Sequence, residues 1–165
     1  VNEYKEEEIS HILWAYGEEE ESRRIAKAIV ARRSDKIFSD TLDLSSLIKN
    51  TKKIKSKKHP ATKSFQALRM AVNDEISNLE ECLKALKKKI SKGGRIIVIS
   101  FHSLEDRIVK NIFKEKIKLH EKQIPIIEEE KNLLFKSYKL IYPSEDEVKM
   151  NIRSRSAKMR VIEKL

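Results

Sequence analysis

One short stretch constrains this chain more than any other: Arg95-Ile96-Ile97-Val98-Ile99-Ser100-Phe101, led in by Gly93-Gly94. Its apolar, β-branched residues are continuous rather than alternating. That is the pattern of a strand buried on both faces, as in a parallel sheet flanked by helices. Ahead of it, Phe65, Leu68, Val72, Ile76, Leu79, Leu83, Leu86 and Ile90 recur by threes and fours. They predict one long helix that would span roughly 40 Å if unbroken. After it, Ser103 can serve as an N-cap, with Asp106 three residues on and an apolar face at Leu104, Ile108, Ile112 and Phe113. Helix, Gly-Gly, strand, helix is an α/β unit.

The first half reads as helical. Ile9, Ile12, Leu13 and Tyr16 follow helical spacing, and Gly17 can close that helix. Glu18 to Glu21 open a second helix with stripe residues Ile25, Ala26, Ile29 and Val30, and Arg32-Arg33 close it, each charge sign matching its end of the dipole. A shorter helix starts from Ser39 and carries Leu44, Leu47 and Ile48. Pro60 disfavours helix at His59, which sets a boundary there: residues 1–60 against 61–165. Beyond Gln123 the pattern weakens. Leu140 to Tyr142 suits a short strand, and Ser156 to Leu165 suits a last one, with Ala157, Met159 and Val161 alternating with Lys158 and Arg160.

The net charge of +10 points to a polyanionic partner, and the plainer alternative is a generally Lys-rich proteome. Residues 44–73 contain no acid, and Lys52 to Lys58 reads as a solvated basic loop. One cysteine, Cys82, excludes an internal disulfide and a cysteine-rich zinc site, and its place in a helical pattern suggests core. The four histidines, at 11, 59, 102 and 120, lack metal-ligand spacing, so no metal is expected. No apolar run is long enough to span a membrane, and the expected compartment is the cytoplasm.

In open α/β sheets ligands bind beyond the carboxyl ends of strands. Here that position holds Ser100, Phe101, His102 and Ser103, with Glu105, Asp106 and Arg107 on the first helical turn. The plainer readings are helix capping for Ser103 and Asp106, and a loop hydrogen bond for His102. No Gly-x-Ser-x-Gly elbow surrounds either serine, which argues against a nucleophilic triad. A second polar stripe, Thr62, Gln66, Arg69 and Asn73, follows His59 and shares one helical face, which is more often simply the wet side of a helix. The only glycines are Gly17, Gly93 and Gly94, so no G-x-G loop or P-loop can be built and no cofactor-binding residue is assigned in this chain.

Several segments together resemble the ribosomal RNA small subunit methyltransferase H family. They are Lys58-His59-Pro60-Ala61-Thr62-Lys63-Ser64-Phe65-Gln66-Ala67-Leu68-Arg69, Val72-Asn73-Asp74-Glu75, Gly93-Gly94-Arg95, the run from Ile99 to Lys110 (ISFHSLEDRIVK) and Arg153-Ser154-Arg155-Ser156-Ala157-Lys158-Met159-Arg160. Tyr16-Gly17-Glu18-Glu19 also fits. The resemblance implies an α/β fold: a helical insertion domain, then the C-terminal half of a Rossmann-like S-adenosylmethionine-dependent methyltransferase core. It implies methyl transfer from S-adenosyl-L-methionine to the exocyclic amine of a cytidine in the decoding region of 16S rRNA. The implied partners are 16S rRNA and the small ribosomal subunit, and a homodimer is one form open to the full-length protein.

By the same resemblance, His59, Lys63, Arg69, Arg107, Arg153 and Arg155 are candidate RNA contacts, and Asn73, Ser100 and His102 candidate catalytic groups near the base. The family's glycine-rich loop, ribose-binding acid and Asp-Leu-Gly-Val-Ser-Ser segment are expected upstream of Val1. Ile152 stands where the family usually has proline, and Lys63 where it has arginine, which loses a bidentate fork. The chain alone is therefore expected to be inactive. Competing expectations are a non-enzymatic RNA-binding module and a remnant that binds another protein through its long helix. An incomplete core exposes sheet edges, so the isolated chain is expected to self-associate. Size-exclusion chromatography with light scattering checks this, and a sharp monomeric peak would contradict it.

Overall fold

A computed structural model describes residues 1–54, 59–114 and 134–165. Lys55, Lys57, Lys58, His120, Gln123 and Pro125 lie outside the described residues. The chain divides into two compact units, Val1–Glu75 and Ile76–Leu165. The Pro60 break read from the sequence does not end the first unit, because the helix after it packs on the first helix of the chain.

The first unit is helical: α1 (Glu6–Gly17), α2 (Ser22–Asp35), α3 (Thr41–Thr51) and α4 (Thr62–Val72). Its core is Ile9, Leu13, Ile25, Ala26, Ile29, Phe38, Leu44, Ile48, Ala61 and Ala67, so the stripes predicted for α1, α2 and α3 do form its interior. Asp40, not Ser39, caps α3 by accepting the N–H of Asp43 at 2.8 Å. Gly17 ends α1, but the left-handed residue is Glu18, at φ 49°. The glycine is needed for close approach instead: a Cβ there would lie 2.6 Å from the carbonyl oxygen of Lys63 on α4.

One polar contact is buried in this unit. The ammonium of Lys52 reaches both carboxylate oxygens of Glu19 at 2.9 and 2.8 Å and the carbonyl of Pro60 at 3.2 Å. Ser64, fully buried on α4, lies 3.4 Å from the same carboxylate. Lys52 is thus a tie between the α1–α2 corner, the end of α3 and the start of α4, not part of a solvated loop.

The predicted long helix is two helices. Asp74 adopts φ 50°, and α5 (Glu75–Lys89) starts after it. A left-handed residue cannot continue an α-helix. Asp is among the few residue types that tolerate it, which spacing alone does not reveal. Val72, read as part of the apolar stripe, is 83% exposed, while Ser64, Ala67 and Met70 are the buried face of α4. The break also removes the continuous helix on which a protein-binding remnant was argued.

The second unit contains α5 beyond Glu75, β1 (Arg95–Ser100), α6 (Ser103–Ile112), β2 (Phe135–Ser137), α7 (Glu145–Met150), a 3-10 turn (Ile152–Ser156) and β3 (Lys158–Lys164). The described strands form one antiparallel sheet in the order β1-β3-β2. This corrects two expectations: β1 pairs antiparallel with the last strand, and the described residues cover it on one face only. Ile96 and Ile162 sit opposite each other and join Leu83, Val109, Phe113 and Phe135 in the core. The rings of Phe113 and Phe135 meet edge to face at 5.2 Å. Ile97 and Ile99, whose partners are Val161 and Met159, are exposed. The Leu140–Tyr142 strand reduces to a single bridge, Ile141 with Met159. Cys82 is exposed, not core.

Replacing Lys52 by Met should strand the Glu19 carboxylate and cost about 3–5 kcal/mol of unfolding free energy in urea titrations. Adding Glu19→Leu should recover most of that loss.

Candidate functional site

At the carboxyl end of β1 the chain turns through Phe101 and His102 into α6. His102 has extended backbone (φ −143°, ψ 165°) and is the residue that caps this helix. Its Nδ1 accepts the N–H of Glu105 at 3.3 Å. In return, Glu105 accepts the N–H of Phe101 at 2.8 Å and that of His102 at 3.4 Å. This is a reciprocal capping box in which an imidazole takes the usual place of Ser or Thr. The expected cap, Ser103, is instead the first residue of α6. An accepting Nδ1 leaves the ring proton on Nε2, 3.1 Å from the other oxygen of Glu105. Burial works to raise the Glu105 carboxyl, and the hydrogen bonds from His102 and Phe101 outweigh it, leaving it below the ordinary carboxylate range.

Asp106, on the same turn, is not a capping group. It holds Arg160 of β3 through two hydrogen bonds, Nε to Oδ1 at 2.6 Å and Nη2 to Oδ2 at 3.0 Å, with the ammonium of Lys158 at 4.0 Å. Both partners of the pair are largely buried, at 17% and 13% side-chain exposure. The Arg160 hydrogen bond holds the Asp106 carboxyl below its ordinary value. This fork clamps the start of α6 to the sheet.

The antiparallel register then determines which other residues arrive here. Ser100 pairs with Lys158, and its buried hydroxyl lies 3.4 Å from the Lys158 carbonyl. The 3-10 turn that precedes β3 therefore sits at the same end of the sheet as His102. It is built on Asn151, whose side chain accepts the N–H of Arg153 at 3.1 Å, and whose carbonyl accepts the buried Ser154 hydroxyl at 2.8 Å. Arg153 and Arg155 are exposed, and Arg155 donates to the carbonyl of Ile152 at 2.9 Å. Arg107 is exposed on α6. Ser100, His102, Arg107, Arg153 and Arg155 thus share one end of the second unit.

The remaining predicted residues belong to the first unit and lie along or just before α4. His59 accepts the N–H of Ala61 through Nδ1 at 3.3 Å. Lys63 donates to the carbonyl of Glu18 at 2.9 Å. Arg69 forks onto Glu75 at 2.8 and 3.0 Å, and Asn73 reaches the same carboxylate at 3.2 Å. All four are exposed at the surface while making these contacts.

The glycines do not fit a nucleoside-cofactor cradle. Gly17 is packed against α4. Gly93, at φ 76°, and Gly94 form the turn at the amino end of β1, bonded to Lys164 at 2.7 and 3.0 Å, which is the opposite end of the strand from His102. Among the described residues, the carboxyl end of β1 therefore has no glycine turn suited to such a cofactor.

The MraW methylase family matches residues 1–165. The chain belongs to that family. It is also similar to ribosomal RNA small subunit methyltransferase H of Coxiella burnetii (strain Dugway 5J108-111), 45% identical over 168 residues, which span all of this chain and 55% of that protein. The protein of the same name in Legionella pneumophila (strain Paris) is 45% identical over 169 residues, and that of Heliobacterium mobile 46% over 172, with the same shares covered. The chain thus spans about half the length of these relatives. Membership of this family is what the resemblance read from the sequence led one to expect.

The sequence placed His102, Glu105 and Asp106 at the candidate site, but not the pairings of Asp106 with Arg160 and of Glu105 with His102, nor Lys158. The usable signal was charge: Lys158 and Arg160 alternate with apolar residues on the last strand, so one of its faces is cationic and requires an acid opposite. A carboxyl whose folded pKa is depressed stabilises above its unfolded value of about 3.9, and that stability is lost as pH falls through the folded value. Asp106→Asn should therefore lower unfolding free energy by about 1–3 kcal/mol at pH 7. The gap to the unsubstituted chain should close below about pH 4 in urea titrations run across pH.

Proposed function

We propose that this chain is part of an S-adenosyl-L-methionine-dependent enzyme that methylates the exocyclic amine of a cytidine in the decoding region of 16S rRNA, acting on the small ribosomal subunit in the cytoplasm. In this reading the chain supplies RNA contacts and polar groups near the base, and not the cofactor loop. The observation that carries it is the register that brings the Arg153–Arg155 turn to the end of the sheet where Ser100 and His102 lie and α6 carries Arg107, in a chain with net charge +10.

The chemistry asks for positioning. The lone pair of a cytosine amine is delocalised into the ring, so the amine must be held in line with the methyl donor and its protons hydrogen-bonded as charge develops. The base must also leave its stack. Exposed arginines suit the flanking phosphates, while Ser100, His102 and Asn73 are the polar groups assigned to the base. S-adenosylmethionine, when bound, supplies the methyl group.

A second reading, an RNA-binding module without enzymatic activity, is favoured by one observation: none of the three glycines lies at the carboxyl end of β1. Equilibrium dialysis of the purified chain against labelled S-adenosylmethionine should show no micromolar binding. Clear micromolar binding would overturn the assignment of the cofactor loop elsewhere. In a full-length relative, replacing the residue that corresponds to His102 by Ala should lower the methylation rate about ten- to hundred-fold. An unchanged rate would remove His102 from the site.

A further inference from the structure

The core-facing stripe of α1 is Ile9 and Leu13, and its opposite stripe carries Glu7, His11 and Trp14. Trp14 is 63% exposed, which is unusual for so large an apolar side chain in a small helical unit. The His11 ring lies beside it, 6.3 Å between centroids at a tilt of 45°. Together with Glu6, Ser10 and Arg23 at the start of α2, these residues line an open groove of about 490 Å³. No core requirement explains the indole, since helix packing already has its stripe.

The groove's chemistry narrows its occupant. Two carboxylates, Glu6 and Glu7, disfavour a phosphate inside it. A flat, neutral group with N–H donors fits: its face stacks on the indole, and its donors meet a carboxylate, as amine-bearing bases do with Glu. Arg23, exposed at the edge, can take a phosphate outside the groove. We propose that this groove on the first unit is a stacking platform for one unpaired, amine-bearing nucleobase of RNA. The inference rests on the reading of the chain as an RNA-acting methyltransferase component and adds a named subsite to it. A cationic side chain of a protein would also suit an indole flanked by acids. The net charge of +10 disfavours a basic partner and favours a polyanion that carries neutral bases.

Trp14 is the only tryptophan, so its emission reports on the groove directly. The purified chain would be titrated with a short single-stranded RNA containing guanine and adenine, an all-uridine RNA of equal length, inorganic polyphosphate and oligo-arginine. Anisotropy of end-labelled RNA would be followed in parallel. The expected result is saturable quenching by the purine-containing RNA, weaker binding of all-uridine RNA, and no quenching by polyphosphate. Trp14→Ala should weaken binding of the purine-containing RNA about five- to hundred-fold at unchanged circular dichroism, and Trp14→Phe should retain most of it. RNA binding by anisotropy with unmoved emission and full affinity in Trp14→Ala would overturn the platform and leave the RNA-acting reading intact. Absence of any RNA binding would overturn both. Quenching by oligo-arginine but not by RNA would reassign the groove to a cationic side chain and overturn the proposal.

Discussion

The pairing of β1 with β3 governs the second unit. Six register pairs, from Arg95 with Glu163 to Ser100 with Lys158, join segments that are 58 residues apart where Ser100 meets Lys158. The register places Ile162 against Ile96 in the core and aims Arg160 at Asp106. It also delivers the Arg153–Arg155 turn to the end of β1 where His102 caps α6. A slip of one residue would send every side chain of β3 to the other face. Met159 and Val161 would then meet α6, and Asp106 would lose its partner. Hydrophobic burial and the ion pair thus select the same register, and the candidate site is a consequence of it.

The first unit depends in the same way on one buried charge pair. Lys52 and Glu19 have 9% and 3% side-chain exposure, so their attraction is little screened, and the Pro60 carbonyl near Lys52 and the Ser64 hydroxyl near Glu19 help offset their desolvation. This changes what the net charge of +10 means. Lys52 is internal, Lys63 is bonded to a backbone carbonyl, and Arg69, Arg32 and Arg160 are forked or paired to Glu75, Asp43 and Asp106. Several of the cations therefore hold the fold together. In the 3-10 turn the Arg155 guanidinium donates to a backbone carbonyl, not to a carboxylate, and it and the exposed Arg153 remain better placed to meet phosphates.

How far the sequence could be read follows from what each signal measures. Helical spacing located α1, α2 and α3 and their buried residues, because each turns one apolar stripe to the shared core of the first unit. It failed across Asn73-Asp74: the stripe on either side has compatible spacing, and only the backbone angle of Asp74 separates α4 from α5. The run at Ile96–Ile99 marked a strand correctly and its surroundings incorrectly. Continuous apolarity says that neither face prefers water, but it does not say which neighbours are present, and the described residues cover only the face of Ile96 and Val98. On β3 the visible alternation pointed the wrong way. Met159 and Val161 lie on the less covered face, while the core residue is Ile162, the one that broke the pattern. The end of β1 was legible as a candidate site from the general geometry of α/β sheets, and Arg153 and Arg155 became candidates through the family resemblance. The clamp between Asp106 and Arg160 was not legible, because it needs the pairing of distant strands.

His102 shows how capping and chemistry constrain each other. Its Nδ1 is occupied by a backbone N–H of its own helix, and its Nε2 faces Glu105, so both ring nitrogens are turned toward the α6 start. A histidine held this way is well arranged to stay in place. Ser100 is similarly buried against the Lys158 carbonyl. If this end of the sheet serves an RNA base, its polar groups act by fixed position, and the exposed groups around them are arginines.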